Sequence, residues 1–167
     1  MSRLNSSEVT AAVVAAFSGV GLGGGCSLRS AEEADHWGCP LSTNSEAFPD
    51  VDISNDWTAL SMETLDHFPH LAHMDSEGFR YYIPAFMLSV IADHEPSSMR
   101  VICTLSALYP KRDELWDYHM DLYSLLSREQ CVAIARYLQE LPSLIELDQS
   151  EQKSNERALR NYWHKFL

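Results

Sequence analysis

The stretch LAHMDSEGFRYYIPAFMLSVIAD, residues 71–93, carries the densest local pattern in the sequence. Two runs of apolar and aromatic residues flank a short polar segment, residues 75–78 (DSEG). Apolar runs around a four-residue turn that ends in glycine predict a β-hairpin. Pro84 follows the second run and suits the first turn of a helix, because its missing N–H does no harm there. We therefore expect a hairpin and then a helix from Pro84 to about Asp93.

Alternation along the second predicted strand places Arg80 and Tyr82 on one face and the apolar residues on the other. In one interpretation Arg80 pairs across the turn with Asp75 or Glu77, and the apolar face enters the core. In the other, Arg80 and Tyr82 line a groove for an anionic or aromatic ligand. The candidate binding residues are Arg80, Tyr82, Trp57, Asp75 and Glu77.

Helix signals surround this stretch. Capping boxes, in which a polar cap residue is followed three positions later by Glu or Gln, occur at Asn5–Glu8, Ser30–Glu33 and Ser127–Gln130. Helical spacing or a cap residue also predicts helices over 57–68, 115–126 and 150–165, whereas 101–108 is ambiguous between strand and helix. We therefore predict an α+β fold, mostly helical with a small β-hairpin or sheet, in a single globular domain (1–167) with a loop or insert over 38–56.

The formal net charge of −12 lies in the middle of the chain. Residues 30–99 hold 13 acidic side chains and one basic side chain, Arg80, whereas the segments on either side are nearly neutral. An acidic chain is a poor binder of nucleic acid and of anionic membranes, which are recognised through clustered Lys and Arg. The acidic segment is either a solvated surface or a surface that meets a basic protein partner.

The cofactor and metal motifs are weak. The glycines of residues 19–24 match G-x-G-x-x-G, but they follow a helical pattern rather than a strand, so we interpret them as a loop that ends a helix. His67, His70 and His73 have i, i+3 spacing, but Pro69 interrupts any helix that would align them. A set of Cys26, His36 and Cys39 lacks a fourth ligand. We expect no cofactor and no metal.

Two arrangements remain open for catalysis. Cys131 with His119 or His164 is one, although Cys131 sits in a helical pattern where a buried thiol is the simpler interpretation. The sequence Asp93-His94-Glu95 is the other, although it falls at a predicted helix end where solvated charges are common.

The sequence favours a cytoplasmic protein. No apolar run is as long as a membrane helix. The apolar stretch from Val9 to Phe17 follows Glu8 and has little positive charge before it, which disfavours a signal peptide. The four cysteines lack CxxC spacing, as is usual for reduced thiols.

The run EGFRYYIPAFML (77–88) resembles the core motif of a family of small bacterial proteins of unknown function, whose members show GFRYYLPAY at this place. The glycine-containing stretch 17–28, the pair Asp56-Trp57 and the polar cap before Glu-Gln near 126–130 are similar as well. Phe86, where the family has tyrosine, and the polar segment 38–56 depart from the pattern. The resemblance implies a bacterial cytosolic domain and brings no activity or catalytic residues.

We therefore expect an acidic, non-enzymatic protein-interaction module of the immunity or accessory type that binds a basic partner. The alternative is a small hydrolase-like enzyme, with or without a metal, that uses His, Asp and Glu of residues 66–95. A third interpretation is a subunit of a larger assembly with Trp163 and Phe166 at an interface. The oligomeric state is left open.

Overall fold

The computed structural model of the chain describes residues 4–35 and 48–167. These residues form eight α-helices and four short 3-10 helices, with no β-strand among them. The fold is therefore all-α, and the predicted α+β class with its hairpin is wrong. The α-helices are α1 (Ser6–Ala16), α2 (Leu28–Asp35), α3 (Met62–His67), α4 (Ser76–Ala92), α5 (Met99–Ala107), α6 (Trp116–Leu122), α7 (Arg128–Leu144) and α8 (Gln149–Asn161). The 3-10 helices are Pro49–Asp52, Trp57–Ala59, Leu71–His73 and Trp163–Phe166.

The predicted hairpin is in fact the N-terminal half of α4. Asp75 is its N-cap, and the carboxylate of Asp75 accepts the backbone N–H of Gly78 at 2.8 Å. The polar segment before the aromatic run thus starts a helix instead of turning a hairpin. Pro84 lies inside α4 rather than at its first turn, although proline removes one helical hydrogen bond there.

The pattern misled because α4 is buried on nearly every side. Eleven of its 17 residues are buried, including Phe79, Tyr81, Tyr82 and Phe86, so no polar face marks the helical period. Aromatic and β-branched residues then resemble a strand in sequence, while tertiary burial decides the conformation. Helix α4 is contacted by α1, α3, α5, α6 and α7, and it forms the centre of the core.

Several helix limits follow from capping chemistry. The predicted boxes at Asn5–Glu8 and Ser127–Gln130 are present, with each side chain bonded to the other residue's backbone N–H. The predicted box at Ser30–Glu33 is wrong, because α2 begins at Leu28 and the backbone N–H of Ser30 donates to the hydroxyl of Ser27. A further capping box at Asp148–Glu151 starts α8. Helix α7 continues through Pro142 to Leu144, although proline commonly marks a helix end.

The C-terminal segment folds back onto the core. Helix α8 ends at Asn161, and the 3-10 helix Trp163–Phe166 follows it, in place of one helix to residue 165. Trp163 is fully buried within the chain, and its indole N–H donates to the carbonyl of Leu108 at 2.7 Å. The hydroxyl of Tyr123 donates to the carbonyl of Ala107 at 2.7 Å, so two aromatic donors satisfy the end of α5.

Of the predicted loop 38–56, residues 38–47 lie outside the described residues, and Pro49–Asp52 forms a 3-10 helix.

None of the described helices combines the length and the apolar character that crossing a membrane requires.

Candidate functional site

The glycine-rich loop that follows α1 packs directly on the first turn of α4. The carboxylate of Asp75 accepts the backbone N–H of Cys26 at 3.0 Å as well as that of Gly78. A Cβ on Gly78 would lie 2.5 Å from the carbonyl oxygen of Cys26, and one on Gly25 would lie 2.6 Å from the nitrogen of Gly78. The two backbones therefore meet where only glycine fits.

The loop is also a helix terminator, as predicted. Gly19 has φ +72°, the left-handed conformation that ends helices, and it follows shortly after the last residue of α1. No strand precedes the glycines among the described residues, so the dinucleotide-binding context is absent there.

Glu77 and Asp75 both contact this loop. The carboxylate of Glu77 is 3.5–3.6 Å from where side chains on Gly23 and Gly24 would begin. Cys26 is partly buried next to Asp75, and burial followed by the charge of Asp75 raises the pKa of its thiol. The structure thus brings together two of the predicted binding residues at the start of α4.

Trp57 and Tyr82 serve the core. Trp57 is buried, and its indole N–H donates to the carbonyl of Phe17 at 3.0 Å, which ties the 3-10 helix Trp57–Ala59 to the end of α1. Tyr82 is fully buried, and burial raises its pKa to about 12. Its hydroxyl lies near the backbone of Leu28 without reaching hydrogen-bond geometry.

Arg80 is partly buried on α4. Its Nε is buried and has no hydrogen-bond partner among the described residues, and Arg80 forms no ion pair with Asp75 or Glu77. The pairing was predicted across a hairpin turn, whereas in α4 the carboxylate of Glu77 lies beside Gly23 and Gly24. The assignment of Arg80, Tyr82, Trp57, Asp75 and Glu77 to ligand binding stays a prediction.

A strap formed by residues 49–57 lies beside the glycine loop. The backbone N–H of Leu22 donates to the carbonyl of Ser54 at 2.7 Å, which joins the loop to the strap. The hydroxyl of Tyr81 donates to the carbonyl of Ile53 at 2.8 Å, which joins α4 to the strap. Asp50, Asp52 and Asp56 therefore lie on a segment bonded to both the loop and α4.

The carboxylates of the strap have different partners. Partial burial raises the pKa of Asp50, but hydrogen bonds from Thr64 and Ser61 outweigh it and bring the pKa below its ordinary value. Asp52 pairs with Arg29 at 3.5 Å. Asp56 accepts bonds from Thr58 and pairs with no Lys or Arg of the described residues.

The histidine stretch does not form a metal centre in the part of the chain that is described. The ring of His67 stacks on Phe48 with centroids 4.2 Å apart. Across residues 4–35 and 48–167, no three His, Cys, Asp or Glu side chains are placed to hold a metal ion. Of the second predicted set, His36 and Cys39 lie outside these residues.

The segment Asp93-His94-Glu95 belongs to a structural junction between α4, α5 and α8. His94 Nε2 donates to the carboxylate of Glu151 at 3.0 Å, and both side chains are nearly buried. The same carboxylate accepts the backbone N–H of Ser97 at 3.0 Å, and Ser97 has φ +60°. Its hydroxyl donates to Asp148 at 2.9 Å. This network fastens the α4–α5 turn to the start of α8.

Sequence reasoning missed a buried arginine. Arg100 is 1% exposed, and its guanidinium donates to Asp66 and to the carbonyls of Ser89 and Asp93, both at 2.8 Å. It thereby satisfies carbonyls at the end of α4. The signal was a charged residue next to the apolar run 101–108.

Sequence reasoning also missed a cavity of about 190 Å³ between the 3-10 helix Leu71–His73, α5 and α6. Its lining is mainly apolar and includes Leu71, Ala107 and Leu122. Tyr118 closes one wall, since its hydroxyl donates to the carbonyl of Ala72 at 2.7 Å. Cys103 and His119 also line the cavity.

The cysteines Cys103 and Cys131 lie in different places, one at the cavity and one on α7. His119 shares the cavity with Cys103. Its Nδ1 donates to the carbonyl of Leu115 at 2.9 Å, so in the neutral ring Nε2 carries no proton. Cys131 is buried on α7, where burial raises the pKa of its thiol, as suits a structural residue.

Comparison with known proteins yields a match to a family model. No curated protein and no solved structure has significant similarity to the chain. The model of a family of unknown function, DUF6714, matches residues 5–167, from the cap of α1 to the last residue, and so covers both the glycine loop and α4. The resemblance found in the sequence to a family of unknown function is thereby confirmed: the chain belongs to DUF6714.

Proposed function

We propose that this protein is an interaction module of the immunity or accessory type that binds a basic protein partner through its acidic surface. The acidic surface consists of Asp50, Asp52, Asp56, Asp75 and Glu77. These residues lie on the strap and on the first turn of α4, and both segments contact the glycine loop.

One observation carries the proposal: exposed carboxylates on and around this surface have no cationic partner in the described part of the chain. Asp56 and Glu77 belong to the surface, and Glu33 and Glu63 lie on α2 and α3, which bond to the strap through Arg29 and Thr64. Unpaired charges of one sign repel one another and destabilise the compact state. A basic partner would remove that repulsion, and the negative electrostatic potential of the surface would speed the association of the two proteins.

The rigid base of the surface supports the same interpretation. Asp75 is fixed by two backbone N–H groups, and Asp50 by bonds from Ser61 and Thr64. Carboxylates held in place lose little conformational freedom when a partner binds, which favours affinity.

The test is affinity capture from cells of the source organism at low and high salt, with the wild-type chain and two double variants. Asp56→Asn/Glu77→Gln neutralises two carboxylates of the acidic surface. Asp121→Asn/Glu146→Gln removes the same charge at two exposed positions in the C-terminal third of the chain. We expect a basic protein that wild type and the second variant capture at low salt, and that the first variant loses.

Two results would contradict the proposal. One is the capture of no salt-sensitive basic protein by the wild-type chain. The other is equal capture by both variants, because the location of the charge would then not matter. Circular dichroism of each variant confirms that it is folded.

A further inference from the structure

The cavity between the 3-10 helix Leu71–His73, α5 and α6 has the size of a small ligand. Its volume is about 190 Å³. An apolar cavity of about 150 Å³ stays dry and takes up a molecule of benzene. One aromatic ring or a short alkyl chain therefore fits here.

The lining leaves apolar surface uncovered. Leu115 and Tyr118 line the cavity and remain 44% and 38% exposed, respectively. Burying apolar surface is favourable, and a ligand seated against Leu115 would take its side chain out of water. The bond from Tyr118 to Ala72 holds the wall in place, so the cavity exists before a ligand binds.

The charge at the cavity selects one ligand class. Of the described residues that line it, Lys111 alone carries a permanent charge, and no carboxylate is among them. Lys111 is exposed, so its ammonium is in reach of a group that extends from the cavity into solvent. A ligand with an apolar body and one negative charge would satisfy both features.

We infer that this cavity binds a small aromatic or aliphatic monocarboxylate, with the apolar body among Leu71, Ala107 and Leu122 and the carboxylate at Lys111. The inference does not depend on the acidic surface, whose residues are absent from the cavity lining. Because ligands of so few atoms have a limited binding energy, binding is expected at micromolar to millimolar concentration.

The experiment is an NMR titration of the full chain with three probes. Phenylacetate has the ring and the charge, phenylacetamide the ring alone, and acetate the charge alone. We expect saturable amide shifts around Cys103 and His119 with phenylacetate, weaker binding of phenylacetamide and no shifts with acetate. Absence of saturable shifts with phenylacetate at millimolar concentration would overturn the inference, as would equal binding of acetate.

Variants at exposed lining positions locate the ligand. Ser106→Phe, on the exposed side of α5, fills the cavity and should abolish binding of both ring probes. Lys111→Gln should weaken the binding of phenylacetate about threefold, as expected for the loss of an exposed ion pair, and leave the affinity for phenylacetamide unchanged. Gln139→Phe and Lys153→Gln make matched changes at exposed positions outside the lining and should have no effect.

The remaining outcomes of these experiments also test the inference. If Lys111→Gln weakens the binding of phenylacetate and phenylacetamide equally, the carboxylate of the ligand does not contact Lys111 and the proposed ligand class is wrong. If no probe binds but Ser106→Phe abolishes capture of a protein partner, the cavity takes a partner's side chain and the small-ligand inference fails. Thermal unfolding shows whether Ser106→Phe is folded, and Lys111→Gln tests the inference independently of it.

Discussion

Replacement of Gly78 by alanine separates helix propensity from tertiary contact, because the two predict opposite signs. Gly78 lies in the first turn of α4. Alanine is the better helix former by up to about 1 kcal/mol, so propensity alone predicts a more stable protein. The structure predicts the reverse, since the new Cβ would lie 2.5 Å from the carbonyl oxygen of Cys26 and 2.9 Å from the sulfur of Met74.

The size of the expected loss of stability depends on which of the crowded atoms can shift. The side chain of Met74 can shift at little cost, but the carbonyl of Cys26 belongs to a backbone that also donates its N–H to Asp75 at 3.0 Å. Overpacking costs about 1–3 kcal/mol, and losing that hydrogen bond adds about 1 kcal/mol. After subtraction of the propensity gain, we expect the free energy of unfolding to fall by about 2 kcal/mol and Tm by about 4–8 °C.

The assay is urea unfolding followed by tryptophan fluorescence, with Gly24→Ala as the matched control. A Cβ on Gly24 would lie 3.5 Å from the flexible carboxylate of Glu77, an ordinary contact, so that variant should stay within about 0.5 kcal/mol of wild type. If Gly78→Ala equals or exceeds wild type in stability, the close contact of the loop with α4 is refuted. An equal loss in both variants would also contradict the reasoning, because only the Cβ on Gly78 is crowded.

Three further results are expected. Arg100→Met should lower the free energy of unfolding by about 3 kcal/mol in urea, because it strands the buried carbonyls that Arg100 satisfies; a loss below about 1 kcal/mol would contradict this. Glu151→Gln should cost about 2 kcal/mol, since in either orientation the amide nitrogen would face an N–H group, that of Ser97 or those of His94 and Asp148, whereas Glu156→Gln on the exposed side of α8 should change little. The raised pKa of Tyr82 means that the folded state resists ionisation of this hydroxyl. The contribution of Tyr82 to stability is therefore full below about pH 10 and is lost as the pH rises towards about 12. Tyr82→Phe should flatten the fall in Tm across this pH window, and an unchanged fall would refute the assignment.

Capping chemistry made some parts of the fold predictable from sequence. The boxes at Asn5–Glu8 and Ser127–Gln130 placed the starts of α1 and α7 correctly, because their hydrogen bonds join residues three apart in the chain. Limits set by proline were less reliable. Helix α3 ends before Pro69, but α7 runs through Pro142 because its last turns remain packed in the core.

The candidate site was partly predictable. The sequence placed Asp75 and Glu77 next to a glycine in a specific motif, and the structure shows that this glycine is where two backbones meet. It did not show the role of Trp57, whose bond to Phe17 spans 40 positions. The cavity was also out of reach, because Leu71, Cys103 and His119 are far apart in the chain and meet only through packing.

By itself the sequence determined the starts of the well-capped helices, the acidic charge of residues 30–99 and the resemblance to a family of unknown function, since each depends on neighbouring residues or on composition. The tertiary structure alone decided that residues 76–92 are a helix, that Gly25 and Gly78 are in contact, and that a cavity opens beside Lys111. The physical reason is burial. A segment that is apolar on every side carries no periodicity to mark it as a helix or a strand, and only the elements packed around α4 determine which one forms.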